Sequence, residues 1–243
     1  MSMSHHAGSR DSGEPEVVPA AEAGRFRLMR MRPRDPDEPG RAATPLELFF
    51  DLVFVVAVSI AAINLHDALT EAHVLEGLLS YFLVFFAIWW AWMNFTWFAT
   101  SFGTDDWLYR LLTFVQMGGV LVLAAGIGPV FEDRDLTLVV FAYVVMRVAM
   151  VAQWLRASRG AGESRRATQL YAVGIAAVQG LWLLSLLLPE QIGLIAVGLL
   201  IVAELAVPVI AERQGETPWH PHHLTERFGL FTLILLGESL LAS

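Results

Sequence analysis

Glu47 and Asp51 stand four residues apart in TPLELFFDLVFVVAVS (44–59), a run otherwise suited to hydrocarbon. On a helix that spacing puts both carboxylates on one face. A carboxylate inside a bilayer is costly, so this face must look at protein or water, and its residues are candidates for function. Arg147 and Glu204 also sit deep in apolar runs, each twelve residues from the outer end of its run, and Glu238 lies twelve residues beyond Glu226 at the inner end of its run. At about 1.5 Å per residue they lie about 18 Å from a surface, near the midplane of a core about 30 Å thick. Two carboxylates facing one guanidinium leave one carboxylate free to take a proton in low dielectric, as proton coupling requires. Asp51, Arg147, Glu204 and Glu238 are therefore the candidate ion or proton site. The other reading is a buried clasp that only fixes helix packing. A second polar cluster is expected towards the cytoplasm, from Glu47, Arg110, Glu226 and Arg227. There, too, ion pairs at helix starts are the simpler reading, since the positive end of the helix dipole favours carboxylates.

The elements that must position these groups are hydrophobic spans. The chain has 243 residues, 56% hydrophobic and only 16% charged, against about a quarter charged in a soluble domain. Spanning needs about 20 apolar residues, and seven segments qualify: 46–64, 76–99, 107–128, 135–155, 169–188, 192–211 and 224–243. Their short connections make successive helices antiparallel neighbours. The expected fold is all-α, a polytopic transmembrane bundle over residues 44–243. Residues 1–43 form a polar tail, Pro/Gly-rich and then Arg-rich, expected to be disordered. Arginine sets the orientation. With the N-terminus inside, the cytoplasmic side holds the tail arginines, Arg110, Arg156, Arg159, Arg165, Arg166, Arg213 and Arg227, and the outside only Arg134. The last span ends abruptly at LLAS, as a fragment of a longer chain would.

Composition also excludes chemistry. With no cysteine there are no disulfides, thiolate metal sites or cysteine nucleophiles. All sixteen basic residues are Arg, so a Schiff-base lysine is absent. The net charge of −8 and the lack of a basic, aromatic-rich cluster argue against nucleic acid. No nucleophile triad, zinc motif or P-loop is present, so an intramembrane enzyme is the weakest reading, and no cofactor or metal is expected. The aromatic run FAIWWAWMNFTWFAT (86–100) reads as an interface belt. HPHH, with His220, His222 and His223, reads as a solvated loop. Gly118, Gly119, Gly126 and Gly128 read as packing positions. The expected partners are the bilayer, anionic lipids at the Arg-rich tail, and a small cation or proton; nothing in the sequence specifies an oligomeric state.

ELFFDLVFV (47–55) and HLTERFGLFTLILLGES (223–239), in that order, resemble the bacterial low temperature requirement A (LtrA) family. WWAWMNFTWFATSFGTDDWLYRLLTF (89–114) and FAYVVMRVAMV (141–151) look like it too, so the likeness covers residues 41–243. It implies a polytopic bacterial inner-membrane protein whose relatives carry further spans beyond the final motif. The two end motifs also resemble each other: both open on Glu, carry Phe third and continue as a span. This is what a parallel repeat of six spans predicts, with its first and seventh helices meeting at a polar seam. Function is expected to be cation or proton transport, with a non-transporting scaffold or sensor as the alternative.

Overall fold

The computed structural model describes residues 28–241, with side chains at all of them except 190, 191, 194 and 238–241. Among the described residues there are eight α-helices and no strand. They are α1 (Pro45–Thr70), α2 (Val74–Phe102), α3 (Trp107–Ala125), α4 (Ile127–Glu132), α5 (Thr137–Ser158), α6 (Arg165–Ser185), α7 (Glu190–Glu212) and α8 (Pro221–Leu241). Among the described residues six segments are long and apolar enough to cross a membrane: α1, α2, α3, α5, Gly162–Ser185 and Ile195–Glu212. The seventh expected span is a helix, α8, part of whose side chains lie outside the described residues.

Local sequence explains the helix ends. Thr44 caps α1, its hydroxyl accepting from the Glu47 N–H while the Glu47 carboxylate accepts from the Thr44 N–H at 2.8 Å, with Pro45 in the first turn. Asp106 caps α3, accepting from the Tyr109 N–H at 2.9 Å. The expected span 107–128 breaks at Gly126, where α3 gives way to the short α4. A Cβ on Gly126 would lie 3.1 Å from Val139, and one on Gly119 2.4 Å from Met146, so both glycines let α5 approach closely. Gly118 makes no such approach.

The long helix α2 is the bundle's axis, packed on α1, α4, α5 and α8. Its phenylalanines build the core: Phe95 stacks on Phe50 of α1 at 3.9 Å, and Phe98 meets Trp154 of α5 edge-on at 4.8 Å. On α1, Glu47 and Asp51 are both buried, as their shared face predicts, and Phe54, Val55 and Val58 continue that buried stripe. Phe50 and Val53 are buried too, so the inward face is wider than that stripe, while Phe49, Leu52 and Val56 point outward. Such outward apolar faces suit lipid, which leaves the helical backbone bonded internally.

The tail expected over 1–43 divides. Residues 1–27 lie outside the described residues, whereas 28–43 run as a strap across the helix ends. Its arginines close helix C-termini, where the backbone offers unpaired carbonyls and a partial negative charge. Arg41 donates to the Ala99 and Thr100 carbonyls of α2 at 2.8 and 2.6 Å, and Arg30 to the Arg159 carbonyl after α5 at 2.9 Å. Arg156 forks onto Asp106 and also reaches the Met29 carbonyl. Burial pushes the Asp106 carboxyl up, but the hydrogen bonds from Arg156, Tyr109 and Met29 outweigh it and hold the group below its ordinary value. A carboxyl depressed in the folded state adds stability above its unfolded value, about 3.9, and loses it as pH falls through the folded value. Limited proteolysis of the strap should therefore stay slow above about pH 4 and quicken below it, and Asp106→Asn should quicken it at neutral pH.

Candidate functional site

Two ionic clusters lie inside the bundle, on opposite sides of α2. The first joins α1 to α8. Arg227 donates to Asp51 through both Nη2 and Nε, and its Nη1 lies 3.6 Å from Glu47 Oε1. Trp92 of α2 donates its indole N–H to Asp51 at 2.6 Å. His223 Nε2 lies 3.4 Å from Glu47 Oε1. Asp51, His223 and Arg227 are fully buried and Glu47 is 4% exposed. On α8, residues 223 and 227 are four apart and share the face turned to α1.

The second cluster joins α5, α6 and α7. Glu204 Oε1 accepts from Gln179 at 2.7 Å, and Oε2 from the Trp90 indole at 3.1 Å. Arg147 Nη2 stands 3.5 Å from Glu204 and donates to the Tyr143 hydroxyl one turn away. Arg147 and Glu204 are each 2% exposed. Nearby, Gln116 of α3 bonds Gln153 of α5 at 3.1 Å.

Compared with the expected grouping, Arg147 and Glu204 meet, but Asp51 is not with them. Trp90 and Trp92 are two residues apart, about 200° around α2; one indole reaches Glu204 and the other Asp51, so the helix separates the two carboxylates. Glu238 lies outside the described side chains. Of the second expected cluster only Glu47 and Arg227 come together. Arg110 is exposed on α3 and pairs with Asp105 at 2.7 Å, because it follows the cap on the outward side of the first turn. Glu226 is half-buried and its carboxylate has no hydrogen bond or ion pair among the described residues; it lies about 100° around α8 from Arg227.

Two expectations from the sequence are corrected. The aromatic run is no interface belt: Trp92 is fully buried and Trp90 8% exposed. Trp90, Trp92 and Trp97 each give the indole N–H to a different carboxylate, Trp97 bonding Glu212 at 3.3 Å. Most buried indole N–H groups find an acceptor, and that was the available signal. Nor is HPHH a solvated loop. His220 and His223 are buried, and of its histidines only His222 is exposed.

Two cavities line the seam where α7, packed along α6, reaches α2 through side chains. One, about 40 Å³, is lined by Leu83, Ala87, Val139, Tyr143, Trp182 and Glu204, towards the bundle end away from the strap. It has room for water or a small ion. The other, about 350 Å³, lies towards the strap, among Trp90, Asn94, Trp97, Tyr171, Pro208 and Glu212. The Trp90–Glu204 bond stands between them. Pro208 lies inside α7, where its missing N–H leaves the Glu204 carbonyl without its helical donor.

The model of the bacterial low temperature requirement A protein family matches residues 42–243. The chain is also similar to an uncharacterized protein of Rhizobium meliloti (strain 1021), at 30% identity over 204 residues. That match covers 80% of this chain and 49% of the relative, so the chain spans about half the relative's length. No solved structure matches it. The family match over the helical region, together with six helices fit to cross a membrane, identifies the chain as a multi-pass membrane protein of the LtrA family.

Proposed function

We propose that the protein moves a small cation or proton across the bacterial inner membrane along the seam between α2 and α7. One observation carries the reading: Glu204, a buried carboxylate, forms the waist between two cavities that lead towards opposite ends of the bundle. Its counter-charge is close but not hydrogen-bonded to it, since Arg147 stays 3.5 Å away and binds Tyr143 instead. Each partner keeps other bonds when the pair opens, Glu204 to Gln179 and Trp90, Arg147 to Tyr143. An arriving cation or proton can thus replace the guanidinium at Glu204 while both groups keep a hydrogen-bond partner, Arg147 giving up its counter-charge. In this reading seven spans cross with the strap end cytoplasmic. The arginine distribution supports that orientation, with only Arg134 at the far end. Anionic headgroups would meet the arginines the strap leaves outward, such as the exposed Arg32.

A second reading, a scaffold or sensor that transports nothing, is favoured by the tight Asp51–Arg227–Trp92 contact, which suits a fixed helix joint. The absence of cysteine offers a test. Single cysteines at Val139 and Val209 should react with silver ion, a small thiol-reactive cation, from the outside and the cytoplasm respectively. A lack of reaction at both, or equal reaction from both sides, would count against the two-cavity route.

A further inference from the structure

The cluster between α1 and α8 holds a histidine set to bind a proton, separately from the waist at Glu204. We propose that Glu47 and His223 form a proton-binding site at the strap end of the bundle, with the imidazolium held between the Glu47 carboxylate and the Thr100 hydroxyl. This inference does not depend on the transport route above.

The hydrogen bonds assign the ring states. His220 Nδ1 accepts from the His223 backbone N–H at 3.1 Å, so that nitrogen carries no proton. Its Nε2 then donates to the Glu38 carbonyl at 2.9 Å, and His220 is neutral. His223 is free to carry a second proton. Its Nδ1 lies 3.3 Å from Thr100 Oγ1, a hydroxyl that can donate to a bare nitrogen or accept from a protonated one. Its Nε2 has no hydrogen-bond partner and faces Glu47 Oε1 at 3.4 Å. Both protonation states therefore have partners, and the charged one adds a carboxylate contact.

The surrounding charges favour the proton. α1 contributes Glu47 and Asp51, two negative groups, while α8 contributes one guanidinium, Arg227, committed to Asp51 through Nη2 and Nε. Arg227 Nη1 reaches Glu47 only at 3.6 Å and has no hydrogen-bond partner. From the strap, Arg41 is bonded to the carbonyls of Ala99 and Thr100, and Glu38 offers His220 only its backbone oxygen. α2 presents no ionisable group here, only Thr100. α3 brings Tyr109, close enough to feel the Glu47 charge. Glu47 Oε2 accepts from the Thr44 N–H and hydroxyl, but Oε1 has no hydrogen-bonded counter-charge, and His223 is the group beside it that can change charge.

The test is histidine NMR on the whole protein in nanodiscs, with the His223 resonance assigned by its loss in His223→Gln. The native His223 should be doubly protonated at neutral pH, and its midpoint is followed by pH titration. Glu47→Gln should move that midpoint down by about one pH unit or more, a tenfold loss of proton affinity. Gln at this position keeps the capping box, so the helix start survives the change. Glu226→Gln, on the same helix but outside the cluster, should leave the midpoint in place. A native His223 that is neutral at pH 7 would overturn the assignment, and so would a midpoint indifferent to Glu47→Gln. Should Glu47→Gln fail to fold, the native titration decides alone.

Discussion

Replacing Arg227 with leucine should cut the folded protein recovered from the membrane to a small fraction of the native amount. The guanidinium is fully buried and is the main counter-charge of Asp51, which is itself fully buried. Removing one partner of such a pair strands the other charge, at about 3–5 kcal/mol. Whole domains are stable by only about 5–15 kcal/mol. Asp51→Asn should cost less, because the Trp92 indole still finds an acceptor and Arg227 still faces Glu47 at 3.6 Å. Arg227→Lys should fall between, since a point charge cannot reproduce the two-nitrogen grip. The double change Asp51→Leu with Arg227→Leu should recover part of the loss by removing both ions together. Size-exclusion chromatography of solubilised protein, comparing monodisperse fractions, checks this order. If Arg227→Leu accumulated normally, the joint between α1 and α8 would not be held by charge.

Glu204→Gln should behave in the opposite way, sparing the fold and removing the activity. The amide keeps the carboxylate's shape, and its oxygen can still accept from Trp90 or Gln179. Arg147 loses a charge at 3.5 Å but retains the Tyr143 hydroxyl. The remaining cost is that of a less well compensated guanidinium, softened by the Tyr143 ring, whose centroid lies 4.6 Å from its carbon. What the amide cannot do is hold a cation or take up a proton at the waist. A large drop in flux with near-native accumulation is therefore the expected signature, and Arg227→Leu should give the reverse pattern.

Much of the helical layout was legible because bilayer physics leaves few options. Apolar runs of about 20 residues had to be helices, and the Thr-Pro-Leu-Glu start of α1 announces its own capping box. Counting residues from the run ends put Arg147 and Glu204 at one depth, and they stand 3.5 Å apart. Periodicity put Glu47 and Asp51 on one face, and both are buried. Depth, however, says nothing about which side of a neighbouring helix a residue faces. Asp51 was grouped with Arg147 and Glu204 for that reason, although α2 stands between them; the polar seam expected between the first and seventh helices is where it meets Arg227. Arg110 and Glu226 were drawn in by height alone, when their angles on α3 and α8 turn them elsewhere. His223 was hidden by its neighbours, because HPHH resembles a loop although its last residue lies in the first turn of α8. The strap was unreadable for a different reason. Its polar composition argues for disorder, and its order comes from carbonyls at the ends of α2 and α5 that it reaches only once the bundle has formed.

The most direct test of the transport reading is ion movement in proteoliposomes. The protein is reconstituted at a fixed density, and proton or monovalent-cation flux is followed down an imposed gradient for native protein, Glu204→Gln and empty vesicles. The account predicts flux well above empty vesicles for the native protein and flux indistinguishable from empty vesicles for Glu204→Gln, at equal reconstituted amounts. Native flux that Glu204→Gln leaves unchanged would contradict it, as would a native protein that passes neither protons nor monovalent cations.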